Sequence, residues 1–240
     1  MSSEPLLVLD AVSKRFGGLT VLDQLSFTVE PGEILGLVGP NGSGKTTTIN
    51  IISGVHRADS GRMLFEGRRI EHLPSFRLVH LGINRTFQVP KPFRDMTVSE
   101  NIAVAAHFGA RGETGREPVD IDTILAEINL GKQADILAGS LTANQQKTLD
   151  LGRALATRPK LLLVDEIGAG LNPGELGIMA DLLTSLTRRG IALIVVEHLL
   201  DFMRRITNRV IVLGAGRMLF EGSLKEASQD PDVVAAFIGG

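Results

Sequence analysis

The chain has 240 residues, 43% hydrophobic and 22% charged, which is enough to bury a core in one large domain or two small ones and argues against intrinsic disorder. Lysine plus arginine total 25 against 27 aspartates and glutamates, a net charge of −2, so no overall positive field holds the chain on nucleic acid or anionic lipid; phosphate chemistry needs a local site. Zero cysteines exclude disulfide scaffolds, thiolate nucleophiles and sulfur-ligated zinc, and ten phenylalanines without tryptophan or tyrosine leave few stacking platforms for single-stranded nucleic acid.

The opening Met1-Ser-Ser-Glu-Pro5 has neither a basic flank nor a small-residue cleavage pattern, so no secretory signal is expected. Strands are expected at Leu6 to Leu9, Leu25 to Val29, Ile34 to Val38, Leu161 to Val164 and Ile191 to Val196. The last three lack alternation, as parallel strands covered on both faces do, and helical patterns lie between them; the expectation is an α/β core. The heptapeptide Gly-Arg-Met-Leu-Phe-Glu-Gly occurs at 61–67 and again at 216–222 with unrelated flanks, and reads as two similar surface strands. Residues 89–155 read as a mainly helical insertion, interrupted by a polar, Gly-rich loop at 109–120 and resumed by Ile121, Ile124, Leu125 and Ile128 at helical spacing. Asn172 and Pro173 open a helix whose stripe of Leu176, Met179, Leu182, Leu183 and Leu186 ends before Gly190. The longest apolar run, Ile191 to Val196, falls far short of the roughly 18 residues that span a bilayer.

Two segments carry chemistry. Gly39-Pro-Asn-Gly-Ser-Gly-Lys-Thr46 matches G-x-x-x-x-G-K-[ST] and follows an apolar strand. Gly39, Gly42 and Gly44 let the backbone curl with its N–H groups inward, Lys45 reaches outer phosphates, and the Thr46 hydroxyl can ligate Mg²⁺. Thr47 to Ser53 starts a helix whose N-terminus faces the same anion. Such a loop serves kinases, GTPases and motor ATPases alike. At Leu161-Leu-Leu-Val-Asp165-Glu166 an apolar strand ends in two carboxylates, Asp165 placed for the Mg²⁺ shell and Glu166 for orienting an attacking water.

Together these pieces resemble, over nearly the whole chain, the nucleotide-binding subunit of an ATP-binding cassette (ABC) transporter. Gln88 in Thr86-Phe87-Gln88 stands where that family has its Q-loop glutamine, Leu141-Thr-Ala-Asn-Gln145 where it has its signature, and His198 where it has the switch histidine. The resemblance implies an α/β P-loop NTPase core, roughly 1–88 and 156–240, with an N-terminal antiparallel β subdomain and a helical subdomain inserted at roughly 89–155. It implies ATP and Mg²⁺ as ligands. Gly39, Pro40, Asn41, Gly42, Ser43, Gly44, Lys45, Thr46 and Thr47 would surround the phosphates, and Thr46, Gln88 and Asp165 the metal. Glu166 would be the catalytic base, His198 would hold the γ-phosphate, and Ala169 to Asn172 would form the D-loop at a dimer interface. Phe16 would stack on adenine; a phenylalanine between Arg15 and Gly17 could equally be a core residue.

Phe16-Gly-Gly-Leu19, Gly82-Ile-Asn-Arg-Thr-Phe-Gln88, Phe93-Arg-Asp-Met-Thr-Val-Ser-Glu-Asn101, Ala169-Gly-Leu-Asn-Pro173 and the tail from Val233 to Gly239 look like the branch importing branched-chain and other hydrophobic amino acids or amides. Urea and lipopolysaccharide exporter subunits look similar, so the substrate stays open. Permease subunits, a second ATPase subunit and, indirectly, a solute-binding protein are the implied partners, without nucleic acid; the implied location is peripheral, on the cytoplasmic face of the membrane. The apolar, proline-stiffened stretch Phe87, Val89, Pro90, Pro92, Phe93 either docks a permease helix or packs internally. A soluble, non-transport ABC ATPase and a weakly hydrolysing subunit are the alternatives; against the first, this sequence shows no coiled-coil arm or second cassette of the kind such proteins carry.

One departure stands out. The family signature is usually Leu-Ser-Gly-Gly-Gln, and here Thr142, Ala143 and Asn144 replace Ser-Gly-Gly. Thr142 keeps the hydroxyl and can cap the helix, while two new Cβ atoms stand where backbone should approach a nucleotide on the opposite subunit along with Thr142, Asn144 and Gln145. The added Cβ atoms lead us to expect a weakened composite site, with partial function kept because asparagine tolerates left-handed backbone, and with it a heterodimer rather than a homodimer. Ile167 replaces the family's proline after the catalytic glutamate.

Overall fold

The structure, a computed structural model, describes residues 4–109 and 119–238. Strands β1 (Leu7–Phe16) and β2 (Leu19–Val29) form an antiparallel hairpin, and β3 (Ile34–Val38) leads into helix α1 (Lys45–Ile52). Strands β4 (Ser60–Phe65) and β5 (Arg68–Arg69), helix α2 (Ser75–Leu81) and strand β6 (Ile83–Arg85) follow. Helices α3 (Val98–Gly109), α4 (Ile121–Glu127) and α5 (Ala143–Ala156) come next, with short 3-10 turns at Gly131–Gln133 and Ala138–Ser140. The chain then alternates β7 (Leu161–Asp165), α6 (Pro173–Thr187), β8 (Ala192–Val196), α7 (Leu200–Ile206) and β9 (Arg209–Gly214), and ends in β10 (Arg217–Gly222), α8 (Leu224–Ala227) and α9 (Pro231–Ile238).

Two sheets result. One is antiparallel with strand order β2-β1-β4-β5; the other has the order β10-β9-β3-β8-β7-β6, parallel throughout except for β10 at its edge. Every residue of β3, β7 and β8 is buried, which is why these runs show no alternation. Leu161, Leu163, Ile194 and Val196 face a core shared with α1 and the antiparallel sheet, whereas Leu162, Val164, Leu193 and Val195 face the core built by α3, α5, α6 and α7. Each such side chain, wholly removed from water, contributes about 1.5–3 kcal/mol of transfer free energy, which makes this sheet the stiff element of the chain. The fold is thus an α/β P-loop NTPase core with an N-terminal antiparallel sheet and an inserted helical subdomain.

Several expectations need correction. Both hairpin strands run beyond the apolar stretches that mark them, because their outer ends are polar, exposed and interrupted by register shifts near Ala11 and Gln24, both at positive φ. Strands β6 and β9 and helices α2, α7 and α8 had no forecast; β6, for one, has only three residues, too few to show a period. The repeated heptapeptide is not two surface strands. In β4, Met63 and Phe65 are 2% exposed because the strand lies inside the antiparallel sheet, while Met218 and Leu219 in the edge strand β10 are 39% and 38% exposed. Gly109 closes α3 rather than opening a loop, and residues 110–118 of the expected loop lie outside the described residues. Helix α6 begins as expected, with Asn172 accepting from the Glu175 amide and Glu175 returning a bond to the Asn172 amide, and it ends at Thr187.

Candidate functional site

The phosphate loop runs from the buried end of β3 into α1. A Cβ at Gly39 would sit 2.3 Å from the Leu213 carbonyl oxygen and 2.6 Å from Ser43 Oγ; one at Gly44, where φ is 107°, would sit 2.5 Å from Leu22 Cδ2. Both positions therefore require glycine for space as well as conformation. Gly44 caps α1 without a side-chain bond, so the first-turn amides of the helix keep their donor capacity. Lys45 donates from Nζ to the Gly39 (2.7 Å) and Pro40 (2.9 Å) carbonyls. Burial holds its ammonium below the ordinary lysine value, opposed by the charges of Glu166 and Asp165.

Asp165 ends β7 and is 4% exposed. Burial pushes its carboxyl up, and the Arg85 guanidinium, 3.8 Å away at Nη2, pulls it back. Glu166, one residue on, is left-handed (φ 50°), a conformation that a non-glycine residue keeps only with support from its surroundings. Its amide donates to Val196 O at 2.9 Å. Its carboxylate accepts from Gln88 Nε2 at 2.5 Å and meets His198 Nε2 at 3.1 Å. Gln88, Glu166 and His198 follow β6, β7 and β8, and the phosphate loop follows β3, so all four stand past the carboxyl ends of adjacent parallel strands, the usual place for ligands in such sheets.

Asn41, Gly42, Lys45, Thr46, Thr47, Glu166 and His198 line one cleft of about 160 Å³. A phosphate chain and a divalent cation suit these residues. The cleft mouth is glycine backbone and helix N-terminus, Ser43 Oγ is buried without a partner, Thr46 is exposed on the cleft side, and Gln88, which commits its Nε2 to Glu166, keeps its side-chain carbonyl oxygen as a hard ligand atom. Phe16, at the tip of the β1–β2 hairpin, does not line this cleft. It is 43% exposed, edge-on to His56 with Lys14 Nζ 5.2 Å from its ring, so it is not a core residue.

Thr142, Asn144 and Gln145 lie elsewhere. They line a second cleft, about 310 Å³, with Leu171 and Glu175, and none of them reaches the phosphate-loop cleft of the same chain. Thr142 caps α5 in a capping box with Gln145. Ala143 and Asn144 are the first two residues of α5 and neither has positive φ, so the tolerance of asparagine for left-handed backbone is not called on. The added Cβ atoms are therefore unstrained.

Four functional positions escaped the sequence reading. Arg85 bridges Asp165, Asn50 Oδ1 (2.6 Å from Nη1) and the Phe87 ring (4.8 Å). Glu197, 2% exposed, accepts the Gly168 amide at 2.6 Å. Asp150 in α5 accepts the Phe87 amide at 2.8 Å, and Asn101 in α3 exchanges hydrogen bonds with the Phe93 backbone. The last two tie the stretch 87–93 to the helical insertion. Polar residues scattered along helices and beside a strand carry no spacing signal; only their shared contacts mark them. In the same stretch Phe87, Val89 and Phe93 are 46%, 68% and 46% exposed, so they do not pack internally.

A family model described as ABC transporter matches residues 22–169. The probable branched-chain amino acid transport ATP-binding protein LivG of Archaeoglobus fulgidus is 37% identical, with 98% of this chain and 95% of that protein covered. The high-affinity branched-chain amino acid transport ATP-binding protein BraF of Pseudomonas aeruginosa is 31% identical, with 99% of each covered. Among solved structures, a nucleotide-free ATP-binding cassette from an ABC transporter superposes with a TM-score of 0.88 at 33% identity, covering 98% of this chain and all of that one. A cassette in its ADP conformation gives 0.87 at 34% identity, covering 99% and 100%.

Proposed function

The chain belongs to the ABC transporter family as an ATP-binding subunit, and from that membership we propose that it hydrolyses ATP to power uptake of branched-chain or other hydrophobic amino acids. The observation that carries the hydrolytic part is the Glu166 carboxylate, held between Gln88 and His198 across the cleft from Lys45. In this reading the loop amides and Lys45 bind the phosphates of ATP, and Glu166 takes the proton of the attacking water. Gln88 and His198 hold that carboxylate, and His198 also reaches the γ-phosphate. Thr46, Gln88 and Asp165 would hold Mg²⁺, which would supply charge neutralisation on the phosphate oxygens. Phe16 offers its exposed ring to adenine, a role supported by its place on the hairpin whose Val21 lines the cleft.

The separation of the two clefts supports a head-to-tail pair, in which Thr142, Asn144 and Gln145 of one subunit face the nucleotide of the other and Ala169 to Asn172 lie at the interface. A second ATPase subunit, permeases and a solute-binding protein complete the importer, with the chain peripheral to the membrane on the cytoplasmic side. Among the described residues no helix is long and apolar enough to cross a membrane. The exposed Phe87, Val89 and Phe93 are the contact for a permease helix.

Glu166→Gln tests the hydrolytic assignment. Turnover is expected to fall about 10²- to 10⁴-fold, the usual range for loss of a general base, while ATP binding persists. Unchanged turnover would remove Glu166 from the chemistry.

A further inference from the structure

Asn144 stands where the family signature has glycine, and its side chain reaches the segment that follows β7 and the start of α6. Its Nδ2 lies 3.2 Å from Glu175 Oε2, 3.4 Å from Glu175 Oε1 and 3.4 Å from the Gly170 carbonyl. One turn further along α5, Lys147 donates from Nζ to the Ala169 carbonyl at 2.6 Å and the Glu166 carbonyl at 3.3 Å. Residues three apart share a helix face, so both donors point at the same five-residue stretch. That stretch contains two left-handed residues, Glu166 (φ 50°) and Gly170 (φ 81°), and it forms no regular element that would fix it.

We propose that Asn144 and Lys147 are positioning residues that latch the Glu166–Gly170 main chain to α5, setting the Glu166 carboxylate in its contact with Gln88 and His198. The proposal rests on the reading of Glu166 as the base. Strained backbone persists only where neighbours over-determine it, and here three of the five carbonyls in the stretch accept from α5. Glu175 closes the arrangement: the carboxylate that accepts from Asn144 also accepts the Asn172 amide at 2.8 Å, so α5 and the start of α6 share one anion. The N-terminus of α5 faces a partner's nucleotide in the head-to-tail pair, so the latch links that contact to the chain's own base. The substituted signature then gains a connection that glycine cannot make.

The test uses the full chain and two readouts. Hydrogen exchange on the chain alone should show the Gly168 and Leu171 amides exchanging about tenfold faster in Lys147→Met and Asn144→Gly, with β7 and the interior of α6 unchanged. In the transporter complex purified through the tagged chain, Lys147→Met should lower kcat about 10- to 100-fold with KM for ATP unaltered, since the phosphate loop is untouched; Lys147→Arg should restore it. Unchanged exchange at 168–171 overturns the latch, as does a loss of protection spread over the whole chain. Faster local exchange with kcat intact overturns the catalytic positioning. Failure of the base reading shows separately, as undiminished turnover in Glu166→Gln, and leaves the exchange result standing.

Discussion

Asp150 illustrates how single residues carry tension in this chain. Its carboxylate is 6% exposed; burial drives its pKa above the ordinary aspartate value, and the Phe87 amide and Arg153 draw it back only in part. A raised carboxyl binds its proton in the folded state at pH values where the unfolded chain has lost it. The stabilisation tied to that proton is complete below the unfolded pKa and is lost as pH rises through the folded one. Asp150→Asn keeps an acceptor for the Phe87 amide and removes the titration. The variant should therefore gain on the wild type in urea midpoint between pH 4 and pH 7, and a constant difference across that range would contradict the assignment.

Helix α5 shows what an element adds to its residues. Its capping box satisfies the Gln145 amide through Thr142 Oγ1 and the Thr142 amide through Gln145 Oε1, and the helix then presents Asn144 and Lys147 on one face and Asp150 and Arg153 further along. One helix thereby touches the stretch after β7 and the stretch after β6. Thr142→Ala should cost about 1 kcal/mol of stability, as loss of an N-cap typically does, while Thr142→Ser should cost only a small part of that. Equal midpoints for Thr142→Ala and wild type in denaturant would show that the cap is not supporting the helix.

At the scale of the molecule, the decisive fact is that the phosphate-loop cleft and the signature cleft do not meet within one chain. A complete ATP site in the proposed reading needs two subunits. If the second is a different ATPase subunit, purified chain alone should turn over ATP slowly, and the pair recovered with the permeases in mild detergent should turn it over at least about tenfold faster per active site. Brisk turnover by the chain alone would argue for a homodimer, and recovery without membrane proteins would argue against the importer. The apolar loop around Phe87 and Phe93 is exposed yet anchored by Asp150 and Asn101, as the proposed docking of a permease helix requires.

The parts whose chemistry is contiguous are legible in the residue order alone. The loop from Gly39 to Thr46, the strand ending in Asp165 and Glu166, and the capped starts at Thr142 and Asn172 are each written within a few residues, because turn geometry, hydrogen-bond capping and two-faced burial act over that distance. The fully buried runs of β3 and β8, neighbours in the sheet, likewise announced a covered parallel core. Folding alone brings out what Arg85, Asp150 and Glu197 do, because each acts through a partner far along the chain, at separations of 80, 63 and 29 residues for the contacts with Asp165, Phe87 and Gly168. It also decided that one heptapeptide is buried in β4 and exposed in β10, since burial depends on a strand's neighbours and not on its composition. The direction of the Asn144 side chain belongs to the same class: its residue type is local, but the Glu175 carboxylate that it meets is brought there by the fold.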